Sequence, residues 1–397
     1  MQNIANYFLG IGAKRLSEVE IHADTSHQHE LNGINDFKNI FGSDLIRFKT
    51  RFLFLSDEEE KLISDEGVIT WYDSRENHPK RSEYRLYYTT NDAILQGQPG
   101  DLIIVCRLGE DSCLVIVARK GTTTERQLLW LFNLSEVENK FIVKDLSHEK
   151  QSLGFAAKYI ISTLGIQIEE TEPDFLEIIL KKFGETFPST KVFSEFSRST
   201  TTDFPIIEDP DEALIMFLER EEILFKTLEK HLLEKKLKTG FGSSGIDVDE
   251  FIQFSLSVQN RRKSRAGYSF ENHLEYIFNT YKLKYTKKAK TERNNEPDFI
   301  FPGTKEYNDK SYDDNLLRML AVKTSVKERW TQILTEADRI WPKHLITLEP
   351  SISKNQTDEM IAQKVELVLP KSLFKTYSVS QQSNFLTLHD FIRIVKV

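Results

Sequence analysis

Asp298 opens a short apolar run, Pro297-Asp298-Phe299-Ile300-Phe301, and Lys323 closes another, Arg318-Met319-Leu320-Ala321-Val322-Lys323. If the two runs are neighbouring strands, their polar ends converge outside the sheet. A carboxylate there can hold Mg²⁺, with water completing an octahedron. The cation would polarise a phosphoryl group and acidify a water. The ammonium would orient that water and stabilise charge on a pentavalent phosphorus. The chemistry is metal-assisted phosphodiester hydrolysis. For this pair alone the alternative is plain, since Pro-Asp is a common dipeptide and a strand-end lysine often only extends its amine to solvent.

The pair follows the logic of the PD-(D/E)xK nucleases with one departure. An acid two positions before the lysine is usual, and Ala321 stands there. Glu336, thirteen residues after Lys323, could supply the second ligand from the following helix, making Asp298 and Glu336 the metal-binding pair. Glu271 could add an outer carboxylate. The stretch ERWTQILTEADRIW predicts an α-helix on which Arg329, Gln332 and Glu336 share a face. Arg329 would then stand about 10 Å from Glu336 along the axis. One face could carry a metal ligand at one end and base-reading groups at the other. Arginine forks onto guanine O6 and N7, and glutamate accepts from cytosine N4. A solvent-exposed helix start is the alternative for Lys327-Glu328-Arg329.

The elements around these residues suit the task. FENHLEYIFNTY places Phe270, Leu274, Ile277, Phe278 and Tyr281 on one helical face, and KHLITL and VELVLP read as further strands. Runs this apolar are buried on both faces, so residues 208–397 predict an α/β domain with a mixed central sheet. Its first helix starts at DPDEAL, with acids early and lysines late as the macrodipole favours. The Gly-rich GFGSSG lacks the Lys-Ser/Thr of a phosphate loop and reads as a turn between helices.

Residues 184–207, rich in Ser, Thr and Pro, read as a linker. Residues 1–183 read as a barrel-like β domain. Its strands are RFLFL, EYRLYY, DLIIVCRL and CLVIVARK, with helices near 2–9, 124–132 and 150–164.

Composition sets limits. No run approaches ~18 apolar residues, so no membrane-spanning helix is expected. The amino terminus lacks the pattern of a signal peptide. Cys106 and Cys113 are too few for a zinc site or disulfide framework, and a reducing cytoplasm fits. The net charge of −8 predicts weak, salt-sensitive non-specific binding to DNA. The segment from Arg261 to Arg293 departs from that average, with ten basic residues against three acidic ones. Such a stripe, with Arg261, Arg262 and Arg265 at its head, can track phosphates; a solvated charged face is the alternative.

SVQNRRKSRAGYSFENHLEYIF, EPDFIFP and NLLRMLAVKTSVKERWTQILTEADRI closely resemble the C-terminal domain of the EcoRII restriction endonuclease family. The resemblance covers about residues 206–370. It implies a restriction-endonuclease-like fold in which Asp298, Lys323 and Glu336 are the catalytic and metal-binding set, with Glu271 supporting, the displaced acid making Ala321 no defect. It also implies that Lys327, Glu328 and Arg329 read the C:G pairs of a CC…GG site, with Glu328 where the prototype has aspartate.

More weakly, AKRLSEVEIHADTSHQHELNGI and WYDSRENHPKRSEYRLYYTTN resemble the two DNA-gripping arms of that family's B3-like pseudobarrel effector domain. By position the contact residues are Lys14, Arg15, His27, Gln28, Lys80, Arg81, Glu83 and Arg85. Arg81, Glu83 and Arg85 alternate and so project from one side of an extended arm. The expectation is a Mg²⁺-dependent, effector-regulated type II restriction endonuclease of a prokaryotic cytoplasm. It would act on double-stranded DNA, dimerise through the rear domain, flip central bases, and have a cognate DNA methyltransferase as genetic partner. A sequence-specific DNA-binding regulator with an inactive nuclease fold, and a nuclease acting on DNA structure rather than sequence, are the rival classes.

Overall fold

The computed structural model describes residues 2–21, 29–58, 61–150, 152–168, 172–201 and 204–396. The chain divides into two compact units, Met1–Ile166 with Pro350–Thr357, and Gln167–Glu349 with Asp358–Val397.

The first unit is built on one eight-stranded sheet. In chain order its strands are β1 (Gly10–Arg15), β2 (Glu30–Asn32), β3 (Ile46–Leu55), β4 (Ile63–Asp73), β5 (Tyr84–Tyr88), β6 (Leu102–Arg107), β7 (Ser112–Ala118) and β8 (Ile142–Asp145). Their order across the sheet is β2-β5-β4-β3-β7-β6-β1-β8. Neighbours are antiparallel except β3 and β7, which run parallel. The unbroken apolar runs of β6 and β7 are buried on both faces, as their composition demands. Phe37, Phe41, Phe48 and Trp71 pack edge and face into the core on one side. A Cβ at position 12 would stand 2.1 Å from the Phe37 ring, so β1 takes glycine there. Helices α1 (Thr123–Leu131) and α2 (Phe155–Thr163) form where apolar spacing predicts them. The helix expected over 2–9 is only a 3-10 turn, Ile4–Asn6, because β1 begins at Gly10. Among the described residues β2 and β8 each pair with a single strand, so the barrel-like expectation becomes a sheet with two edges.

The second unit has helices α3 (Pro173–Phe183), α4 (Thr190–Ser199), α5 (Pro210–Thr239) and α6 (Val248–Thr280), followed by a five-stranded sheet. Its strands are β9 (Thr286–Lys287), β10 (Phe299–Phe301), β11 (Arg318–Lys323), β12 (Lys343–Thr347) and β13 (Val365–Val368), in the order β13-β12-β11-β10-β9. β9, β10 and β11 are antiparallel, while β11, β12 and β13 are parallel, so the sheet is mixed, as expected. Phe270, Leu274, Ile277 and Phe278 of α6 are buried.

The segment 184–207, read as a linker, contains α4. Ser189 caps it by accepting from the Val192 amide, and Phe193 and Phe196 are buried with Ile179, Leu224, Phe225 and Leu228. Two phenylalanines three apart were the helical signal that Ser and Thr obscured. The division between units accordingly falls at 166, not at 183.

Asp211 ties the start of α5 to the chain end. Its buried carboxylate accepts from the amides of Lys371 at 3.2 Å, Leu388 at 2.9 Å and His389 at 3.0 Å, the last two at the start of α7 (Leu388–Lys396). Replacing Asp211 by alanine strands three buried donors. It is expected to lower stability by about 2–4 kcal/mol, read as a lower urea midpoint, with Asp211→Asn losing less because one acceptor oxygen remains.

Candidate active site

Antiparallel pairing of β10 with β11 sets Phe299 opposite Leu320, which carries Asp298 beside the end of β11. Asp298 is 5% exposed. Its Oδ2 accepts from the Val322 amide at 2.7 Å and lies 4.0 Å from Lys323 Nζ. The two polar strand ends therefore do converge.

A third group stands between the carboxylates. Lys288 follows β9 with φ 52°, a left-handed turn that sends its amide to the Asp298 carbonyl at 3.1 Å. Its ammonium pairs with Asp298 Oδ1 and lies 3.1 Å from Oε1 of Glu271, which is buried on α6. Lys287 lies 3.3 Å from the other Glu271 oxygen. Burial works against the charge on Lys288, but Asp298 and Glu271 hold its pKa above the usual lysine value. Neither lysine was singled out from sequence. Thr286-Lys287-Lys288-Ala289-Lys290 was counted as part of a phosphate-tracking stripe, and no signal in it separates an inward lysine from an outward one.

Glu336 reaches the site differently from the expectation. Lys327–Thr335 is a 3-10 turn, and Glu336 follows it with extended backbone at φ −87°, ψ 138°. The winding is three residues per turn rather than 3.6 and ends before Glu336, so the α-helical face expected for this stretch does not form. Trp330 and Ile333 are buried beneath the turn. Polar groups fix the chain at Glu336 instead. Lys343 at the start of β12 donates to the carbonyls of Glu336 and Ala337. Arg293 and Asn295 donate to the Thr335 carbonyl at 3.0 and 2.6 Å. Burial pulls the Lys343 amine down to about 8. Burial also pushes the Glu336 carboxyl up; Lys323 opposes this and the charge of Asp298 adds to it. Glu336 is thus within electrostatic reach of both Asp298 and Lys323, and its Oε2 is buried with no hydrogen-bond partner among the described residues.

Several expected DNA contacts face inward. Arg265 is buried over the rings of Phe187, Phe193 and Phe225 and donates to the Pro188 carbonyl at 3.1 Å. Arg262 lies 2.6 Å from the buried Glu229, and Arg261 stacks on Phe187. The head of the basic stripe therefore binds helices together. Lys14 is buried in β1 and paired with Glu20, and Arg15 is paired with Glu125, because β1 is an interior strand between β6 and β8 rather than an arm. His27 and Gln28, and the side chains of Glu328 and Arg329, lie outside the described residues. Lys80 and Arg81 are exposed. Glu83 and Arg85 point to one side of β5 and its approach, as the alternation requires. Arg85 binds Glu83 at 2.8 Å and Glu30 at 2.5 Å, and the bond from Arg85, with Arg75 beside it, holds the Glu83 carboxyl below its usual range. Lys327 is half-buried.

Residues 225–392 match the family model described as EcoRII C terminal. The type II restriction enzyme EcoRII of Escherichia coli is 40% identical over 230 residues, covering 57% of this chain and 55% of that protein. The chain thus spans about half the length of the curated relative it matches. Among solved structures, metal-depleted Ecl18kI in complex with uncleaved, modified DNA is similar at 19% identity and a TM-score of 0.45, over 57% of this chain and 83% of that one. A complex of restriction endonuclease PspGI with substrate DNA gives 14% identity and a TM-score of 0.44, over 57% and 96%. The mixed sheet and the matched family model together define a restriction-endonuclease-like fold for the second unit.

The folded chain holds the Glu336 proton more tightly than the unfolded chain does. This carboxyl therefore lowers stability as pH climbs through its unfolded pKa toward the higher folded one. Without divalent cation, Glu336→Gln is expected to melt at a higher temperature than the parent at neutral pH and at the same temperature near pH 4. A lower melting temperature at neutral pH would mean that the carboxylate is stabilised where it sits.

Proposed function

We propose that the protein is a divalent-cation-dependent type II restriction endonuclease that cuts both strands of DNA at a short palindrome containing CC and GG. The observation that carries this reading is the convergence of Asp298 and Lys323 at the ends of β10 and β11, with Glu336 held in electrostatic reach. The match to the EcoRII C-terminal family supports it.

The residues present fit a hard cation such as Mg²⁺. Asp298 and Glu336 feel one another's charge, and among the described residues the buried Glu336 Oε2 has no hydrogen-bond partner. Among the described residues no three His, Cys, Asp or Glu side chains gather closely enough to enclose an ion. Asp298 and Glu336 would therefore hold it with water and a phosphate oxygen. When bound, it supplies Lewis-acid polarisation of the phosphate and a more acidic water.

The chain does the rest. The Val322 amide fixes the Asp298 carboxylate through Oδ2, and Lys288 holds Oδ1. Lys323 presents its ammonium where charge grows on the phosphoryl oxygens. Lys343 and Asn295 pin the backbone so that Glu336 enters the site without a helix behind it.

Lys327, Glu328 and Arg329 would read the C:G pairs. Lys80 and Arg81 would touch DNA from the first unit, which would be a B3-like effector domain binding a second copy of the site. A two-fold dimer through the second unit would match the palindrome, and a methyltransferase of the same specificity would protect the host genome in a prokaryotic cytoplasm.

Purified protein with Mg²⁺ and plasmid should give discrete fragments; no cutting would favour the inactive regulator, and a smear a nuclease without sequence preference. Losing a metal ligand removes several kcal/mol of transition-state stabilisation, about a thousandfold in rate or more. Asp298→Ala should therefore abolish cutting while DNA binding in a gel-shift assay persists, and retained cutting would refute the role given to Asp298.

A further inference from the structure

Beyond the end of β12, Glu349 is 1% exposed. β12 runs parallel to β11, with Thr347 in register with Lys323, so Glu349 stands just past the same sheet edge that carries the reactive amine. Its Oε2 accepts from the Val326 amide at 2.5 Å and the Ser325 hydroxyl at 3.2 Å, and lies 3.4 Å from the donating Lys327 amide. Its own backbone is fixed at both ends. The Glu349 amide donates to Thr347 Oγ1 at 3.2 Å, and the Tyr377 hydroxyl donates to the Glu349 carbonyl.

A buried carboxylate is unfavourable unless donors answer its charge. Here the donors are the first amides of the 3-10 turn Lys327–Thr335, the groups a helical turn leaves without internal partners. Charge-assisted bonds of this kind are short and strong. Residues 324–326 between β11 and the turn belong to no regular element. Glu349 is therefore the anchor that sets where the turn starts relative to Lys323.

We propose that Glu349 is a positioning residue for sequence discrimination. It would fix the segment carrying Lys327, Glu328 and Arg329 against the strand end that carries Lys323, so that reading a base pair and aligning the scissile phosphate become one geometric event. This rests on the proposed reading of that segment as the base-reading element.

The test uses the full chain and the variants Glu349→Ala, Glu349→Gln and Lys327→Ala. Amide hydrogen exchange over residues 325–330 reports the anchor directly. Gel-shift affinities without divalent cation report discrimination between a fragment spanning a mapped cut site and the same fragment with one C:G pair changed. In Glu349→Ala, exchange at Val326 and Lys327 should accelerate at least tenfold. The affinity ratio should fall about tenfold or more, while affinity for the altered fragment stays as in the parent. Glu349→Gln keeps one acceptor oxygen and should fall between parent and alanine variant in both readouts, deciding the matter if the alanine variant melts. Unchanged exchange in a folded Glu349 variant overturns the inference. So does full discrimination in that variant when Lys327→Ala has lost it. A parent protein that does not discriminate at all sinks the base-reading assignment instead, and exchange still decides whether Glu349 anchors the turn.

Discussion

Buried like charges repel, and carboxylates taken out of water must be answered by nearby cations or hydrogen-bond donors. Asp298, Glu271 and Glu336 bring that problem to the ends of β10 and β11. Lysines answer it from three directions. Lys288 and Lys287 arrive from β9 and the turn after it, Lys323 from β11, and Lys343 from β12 through the backbone at Glu336. Glu336 is answered least completely, and its raised pKa registers that deficit. A divalent cation shared with Asp298, as proposed, would relieve it.

The sheet serves this arrangement through its mixed direction. Antiparallel pairing of β10 with β11 sets Asp298 against the end of β11, within reach of Lys323. Parallel pairing of β11 with β12 places two chain exits side by side at one edge. From one exit leaves the segment that carries Lys327, and at the other stands Glu349, which holds that segment by its first amides. The proposed catalytic and recognition elements thus hang from adjacent points of one support, and a shift in either strand would move both.

Some charge expected to meet DNA serves the architecture instead. Arg265 lies among three phenylalanines, and Arg262, itself half exposed, meets the buried Glu229, so these two arginines of α6 tie helices together. In the first unit Lys14 and Arg15 are likewise turned inward to Glu20 and Glu125. Lys80 and Arg81 stay exposed.

The apolar runs by themselves determined β3, β5, β6 and β7 and β10 to β13, because an unbroken stretch such as Met319–Val322 has few stable places other than a sheet covered on both faces; the more polar β1, β2, β4, β8 and β9 carried no such signal. The Asp, Pro and Gly signals at 209, 210 and 240 likewise determined the bounds of α5. Residue types also singled out Asp298 and Lys323, since a strand-end acid and a strand-end amine are local facts; Glu336 joins them as the displaced acid that the family resemblance implies. Only the tertiary structure decided which lysine faces a carboxylate and which faces solvent, that the segment before Glu336 winds as a 3-10 turn, and that a supposed linker is a buried helix. The reason is physical. A run of apolar residues fixes its own environment, whereas a charged side chain has several comparably good partners, and distant elements such as α6, β9 and β12 decide which one it meets.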